Sequence, residues 1–99
     1  MILTGGENVY STEVENVLYT HPHVLEAAVI GVPDSHWGEA VRACVVLKEG
    51  CEVTEEEIIS FCKKDLAHYK APKGVDFLDA LPKTGSGKIY KKGLRDPYL

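Results

Sequence analysis

Near its C-terminal end the chain reads Leu81-Pro82-Lys83-Thr84-Gly85-Ser86-Gly87-Lys88-Ile89. Gly85 and Gly87, one residue apart, permit backbone angles that a side chain forbids, so the stretch can turn tightly or lie close to a ligand. Lys88 follows with a compact cation on a long stem, a suitable partner for phosphate or carboxylate oxygens. A P-loop is excluded, because that motif needs glycine where Pro82 stands and Ser or Thr where Ile89 stands. Lys88 is therefore a displayed cation on a mobile loop of Gly85, Ser86 and Gly87, without a phosphate cradle of its own. Residue chemistry alone favours an ordinary solvated loop over a catalytic one, since motifs this short recur by chance.

A second glycine-rich spot opens the chain, Gly5-Gly6-Glu7-Asn8. Paired glycines there suggest a bend, or a place where something lies against the backbone. Trp37 could stack on a ligand ring, but packing over the end of a hairpin is the stronger reading. Cys44, Cys51 and Cys62 are odd in number and lack zinc spacing, so they read as reduced thiols of a cytoplasmic protein, with Cys44 and Cys62 at core positions. His21-Pro22-His23 reads as a turn, and no metal site is expected.

The 99 residues suit one small domain, and 44% hydrophobic with 26% charged residues is a globular composition. A net charge of -4 argues against general nucleic-acid binding, which needs a basic face. No apolar run reaches the roughly 18 residues of a membrane span. The charge is uneven, however: Lys83 to Arg95 holds five cations and no acid, Glu49 to Glu57 five acids and no cation. A local anion site near the C-terminal end is compatible with an acidic whole.

These residues need elements to position them. Thr12-x-x-Glu15 has the form of a capping box and predicts a first helix over 11–19. Val24 to Val32 is almost continuously apolar from Ala27, as in a strand buried on both faces. Residues 33–38 form a turn, and Val41 to Leu47 a second strand, antiparallel to the first. Thr54-x-x-Glu57 is another capping box, starting a helix over 54–67 with Ile58, Phe61, Cys62 and Leu66 on one stripe. Val75 to Leu78 alternates as a third strand, and Lys88 to Arg95 is a last short helix. The expected fold is α+β, order α-β-β-α-β-α, with helices packed on a small mixed or antiparallel sheet of about three strands. Ala27–Val32 is the expected central strand.

Taken together, the landmarks resemble the C-terminal domain of the adenylate-forming superfamily, which includes acyl-CoA synthetases, peptide-synthetase adenylation domains and luciferases. The resemblance spans nearly the whole chain. It is carried by Gly5-Gly6-Glu7-Asn8-Val9-Tyr10 with Glu13-Val14-Glu15, by His21-Pro22-His23-Val24, and by Ala28-Val29-Ile30-Gly31-Val32-Pro33-Asp34. Trp37-Gly38-Glu39, Tyr69-Lys70-Ala71-Pro72 and Leu81 to Ile89 complete it. One piece would be weak; six in this order are strong, and they reverse the preference for a plain loop at Lys88.

The resemblance implies a two-step chemistry. ATP and a carboxylic acid give acyl-adenylate and pyrophosphate, and a thiol, CoA, then takes the acyl group. It implies that Lys88 is the adenylation lysine, and that Gly5, Gly6, Glu7 and Asn8 form the face beside the pantetheine arm after a large rotation of the domain. ATP and Mg2+ would be bound mainly by a large N-terminal domain, which is absent from these 99 residues along with the hinge. Residues 1–99 are thus expected to be a single mobile lid domain that does not turn over alone. Ser11 stands where many members of the superfamily have proline, a harmless change for a helix start. The glycine block and the Tyr-Lys-Ala-Pro block look most like acyl-CoA synthetases. A peptide-synthetase domain acting with a carrier protein, or an interaction module of the same fold without the chemistry, are the alternatives.

Overall fold

The computed structural model describes residues 1–99. The chain forms β1 (Ile2–Thr4), β2 (Glu7–Val9), α1 (Ser11–Tyr19), β3 (Val24–Asp34), β4 (Gly38–Leu47), α2 (Glu55–Asp65), β5 (Gly74–Phe77) and α3 (Lys91–Arg95), followed by a 3-10 turn at Asp96–Tyr98. The α+β class and the mixed sheet stand as expected. Two strands were not foreseen, because β1 and β2 are three residues each, too short for alternation to show in the sequence.

The sheet is organised around β4, not around β3. β4 pairs antiparallel with β3 from Asp34↔Gly38 to Val24↔Leu47, and its other edge takes β1 at Thr4↔Gly38 and β5, parallel, over Arg42–Val45. β3 is an edge strand with both faces covered, which is why it reads as continuously apolar and suggests a central place. Side chains alternate along both long strands. Ala27, Val29, Val41, Ala43 and Val45 face one core with Val14 and Leu18 of α1 and Ile58 and Cys62 of α2. Ala28, Ile30, Val32, Ala40, Cys44 and Val46 face a second core, closed by Leu81 and Leu94 of the C-terminal segment with Leu78, Ile89 and Tyr98 packed against it. The sheet thus lies between a helical layer and a C-terminal strap.

The two capping boxes fare differently. Thr54 Oγ1 accepts the Glu57 N–H at 3.2 Å and starts α2 as its pattern implies. Thr12 caps nothing: α1 begins after Tyr10 with no side-chain cap, and Glu15 Oε2 instead accepts the Val29 N–H of β3 at 2.8 Å. A tertiary partner has taken the carboxylate that the local pattern assigned to the helix start. The last helix begins at Lys91, three residues later than expected, because Lys83 and Ile89 form a β-bridge and hold the chain extended up to there.

Candidate functional site

The Lys88 stretch is a closed turn. The Gly87 N–H donates to Thr84 O at 2.9 Å, the Thr84 N–H to Lys88 O at 2.7 Å, and the Tyr90 N–H to Pro82 O at 2.7 Å. Gly87 sits at φ +88°, the left-handed region that a closing position requires and glycine supplies. The Thr84 and Ser86 hydroxyls lie 3.0 Å apart, and Thr84 Oγ1 accepts the Lys88 N–H at 3.3 Å. Gly85, Ser86 and Gly87 form the tip of a compact hairpin whose base is hydrogen-bonded.

Charge pairing singles out one residue on it. Of the five cations from Lys83 to Arg95, four have carboxylates: Lys83 with Glu26 at 2.6 Å, Lys91 with Glu15 at 2.8 Å, Lys92 with Asp96 at 3.5 Å and Arg95 with Glu39 at 3.8 Å. Lys88 alone is exposed and without an ionic partner. The anion-seeking charge that the sequence spread over thirteen residues is concentrated by the fold on one ammonium group.

Gly5 and Gly6 are the two central residues of the β1–β2 hairpin, at φ +56° and +83°. Positive φ at both is the mirror-image turn that suits the twist of paired strands. Glu7 and Asn8 follow on β2, paired with Thr4 and Leu3 and exposed. The Gly5 N–H donates to Trp37 O at 2.8 Å, so this tip is tied to the β3–β4 turn. That turn is itself closed by Asp34, whose Oδ1 accepts the His36 and Trp37 N–H groups; these two bonds hold its carboxyl below the usual range.

Beside the glycine tip lies a cleft of about 280 Å³ lined by Thr4, Gly5, Glu7, Trp37, His68, Tyr69 and Lys73, near the small end of ligand-site sizes. Trp37 keeps 42% of its surface exposed, and the Lys73 ammonium stands 5.7 Å from its ring centre. The packing role for Trp37 is real, since its ring covers Gly5, but an aromatic face and a cation also remain open to the cleft. Lys73 and His68 were not singled out in the sequence. Their only signal there is position after the second helix, and a fold is needed to bring residue 73 to residue 37.

The structure does not bring the two glycine-rich segments together. The Lys88 hairpin belongs to the strap on the second sheet face, whereas the Gly5-Gly6 tip lies at the end of the β1–β2 ribbon, whose Ile2 and Val9 enter the first core. Nor does any group of three His, Cys, Asp or Glu side chains assemble for a metal ion.

Comparison with known proteins now decides the family. A family model described as "AMP-binding enzyme C-terminal domain" matches residues 13–88. The chain belongs to the AMP-binding enzyme C-terminal domain family. Similar members include a probable CoA ligase from Humulus lupulus, 53% identical over 97% of this chain and 17% of that protein. A mitochondrial medium-chain acyl-CoA ligase from Danio rerio is 51% identical over 97% of this chain and 16% of its own length. A feruloyl-CoA synthase from Amycolatopsis sp is 52% identical over 96% and 19%. Among solved structures, a Mycobacterium tuberculosis fatty acyl CoA synthetase superposes with TM-score 0.92 at 49% identity, covering 99% of this chain and 19% of that one. An amide bond synthetase from Marinactinospora thermotolerans superposes with TM-score 0.94 at 39% identity, covering 98% and 20%. This AMP-binding C-terminal domain thus spans between a sixth and a fifth of the length of the relatives it matches.

Proposed function

We propose that the domain is the lid of an acyl-CoA ligase, in which Lys88 serves adenylation and the glycine-hairpin face serves transfer to CoA. The observation that carries this reading is the isolation of Lys88: every other cation of the strap is neutralised, and Lys88 is held on a closed tip. In the first half-reaction a carboxylate oxygen attacks the α-phosphorus of ATP and the bond to pyrophosphate breaks. Both reactants are anionic, so a cation touching the incoming carboxylate and the α-phosphate offsets their repulsion as the pentacovalent centre forms. Lys88 supplies that charge from a backbone already fixed by hydrogen bonds, so little ordering remains to be done at the moment of reaction. ATP and its Mg2+ would be held mainly by the large N-terminal domain.

In the second half-reaction the thiolate sulfur attacks the acyl carbon and AMP leaves. Gly6 suits a passage for the pantetheine arm, because an added Cβ there would meet nothing within 4 Å and the approach to its backbone is open. The cleft of Trp37 and Lys73 alongside offers a ring face and a cation to the nucleotide end of the same co-substrate. The likeness to an amide bond synthetase favours a second reading, in which an amine instead of a thiol attacks the adenylate.

The test uses the whole ligase that carries this domain and measures the half-reactions separately. Lys88→Ala should slow acid-dependent pyrophosphate release by about two decades or more, the scale of one charge contact in a water-poor site. Transfer from pre-formed acyl-adenylate should change far less. Adenylation within about threefold of wild type, under 1 kcal/mol, would return Lys88 to the status of a surface lysine. Offering the adenylate CoA, a phosphopantetheinyl carrier protein and an amine in parallel separates the acceptor readings.

A further inference from the structure

The strap that carries Lys88 leaves the hairpin through Ile89 and Tyr90 and is fastened next at Lys91. Lys91 Nζ lies 2.8 Å from Glu15 Oε2 and donates to Ser11 Oγ at 3.1 Å, both on α1. Glu15 is the best-held carboxylate of this set: its side chain is 15% exposed, and the same Oε2 accepts the Val29 N–H of β3. One largely covered oxygen thereby joins a sheet strand, the helix that follows the glycine hairpin, and the strap three residues after Lys88. On the other side of the tip, Lys83 is fastened to Glu26, a neighbour on β3.

Resting on the reading of Lys88 given above, we propose that Glu15, acting through Lys91, is a positioning residue for adenylation. The pair does two things. It fixes the strap close behind Lys88, so that the long side chain starts from a defined point; a misplacement of about 1 Å can cost two decades in rate. It also occupies the Lys91 ammonium, which would otherwise compete with Lys88 for the same anionic reactants. Ser11 extends the tie to the first residue of α1. Its hydroxyl is the functional content of a position where proline could make no such bond.

The test again uses the whole ligase, with the two half-reactions measured for Glu15→Gln, Lys91→Met, Lys91→Arg, the Glu15→Gln/Lys91→Met double variant and Lys88→Ala. Glu15→Gln keeps the shape and an oxygen for the Val29 N–H while removing the charge. It should lower the adenylation kcat about five- to tenfold with the KM for ATP changed less than twofold, and leave transfer from pre-formed adenylate within twofold. Lys91→Met should match it, Lys91→Arg should restore most of the rate, and the double variant should be no slower than either single one. Equal loss in both half-reactions, an adenylation rate unchanged in Glu15→Gln, or additive losses in the double variant would overturn the proposal. Lys88→Ala separates the two ideas. If it is slow while Glu15→Gln is normal, only the positioning role falls; if Lys88→Ala itself adenylates normally, the reading beneath it falls first.

Discussion

At Gly5 an added Cβ would lie 2.9 Å from Trp37 Cε3, whereas at Gly6 it would meet nothing within 4 Å. Both carry positive φ, so both resist substitution, but only Gly5 is also packed. Gly5→Ala should therefore destabilise the domain by about 2 kcal/mol, from left-handed strain plus the clash, and lower Tm by roughly 10 °C. Gly6→Leu should cost less stability and leave pyrophosphate release largely intact while blocking thioester formation in the whole ligase. Matching losses in both half-reactions would point to a folding defect instead of a blocked passage. The cysteines separate in the same way. Burial pushes the thiols of Cys44 and Cys62 up to about 11, leaving almost no thiolate at neutral pH, whereas Cys51 is only half-buried. Mass spectrometry after brief native labelling with a thiol reagent should find Cys51 modified and the other two protected.

Among the elements, the strap has its own latch. Arg42 forks onto Asp76 through Nε at 2.9 Å and Nη2 at 2.6 Å, the Tyr98 hydroxyl donates to Asp76 Oδ2, and the guanidinium lies 4.9 Å from the Tyr98 ring centre. The Arg42 bonds, helped by Tyr98, hold the Asp76 carboxyl below its ordinary value against the opposing effect of burial. A depressed folded-state value means stabilisation that is present above the unfolded carboxylate range, near 4, and is lost as pH falls through the folded value. Asp76→Asn should accordingly lower Tm at neutral pH and flatten the loss of stability below about pH 4; an acid titration of Tm for both proteins checks this. Tyr98 is shifted the other way, upward, by burial and by Asp76, so its contribution fades only on the alkaline side. In α2 the contributions scale with burial. Thr54→Ala removes an exposed cap worth about 1 kcal/mol, while Ile58→Ala opens a cavity at a fully buried site and should cost about 3 kcal/mol in denaturant unfolding.

For the whole molecule, two cores on opposite faces of one sheet mean that the helical layer and the strap stabilise each other mainly through β3 and β4, with the Lys91 contacts to Glu15 and Ser11 as a direct tie between them. The alternation of those strands commits neighbouring residues to different layers, so loss of either layer exposes half of each strand. The isolated 99-residue chain should therefore unfold in one cooperative thermal transition seen identically by far-ultraviolet circular dichroism and by Trp37 fluorescence. Two separated transitions would show the strap detaching first.

Local chemistry made much of this protein legible without coordinates. Helical spacing marked α1 and α2, and unbroken apolar runs marked the two long strands, because a strand covered on both faces carries no polar face to alternate with. The order of six short motifs marked the family, and glycine marked both tips, since few other residues tolerate positive φ. What the sequence could not determine was which partner each polar group would take. Glu15 looked like half of a capping box and became the joint between β3 and the strap, and Arg42, Asp76 and Tyr98, spread over more than fifty residues, became a single latch. The same holds for sheet order. β3 and β4 are similarly apolar, and only the placing of the short β1 and of β5 along one edge made β4 the centre. Five cations in thirteen residues were visible at once. That four would be neutralised and Lys88 left free depended on carboxylates at residues 15, 26, 39 and 96, three of them far away in the chain, and distance in sequence is what a fold abolishes.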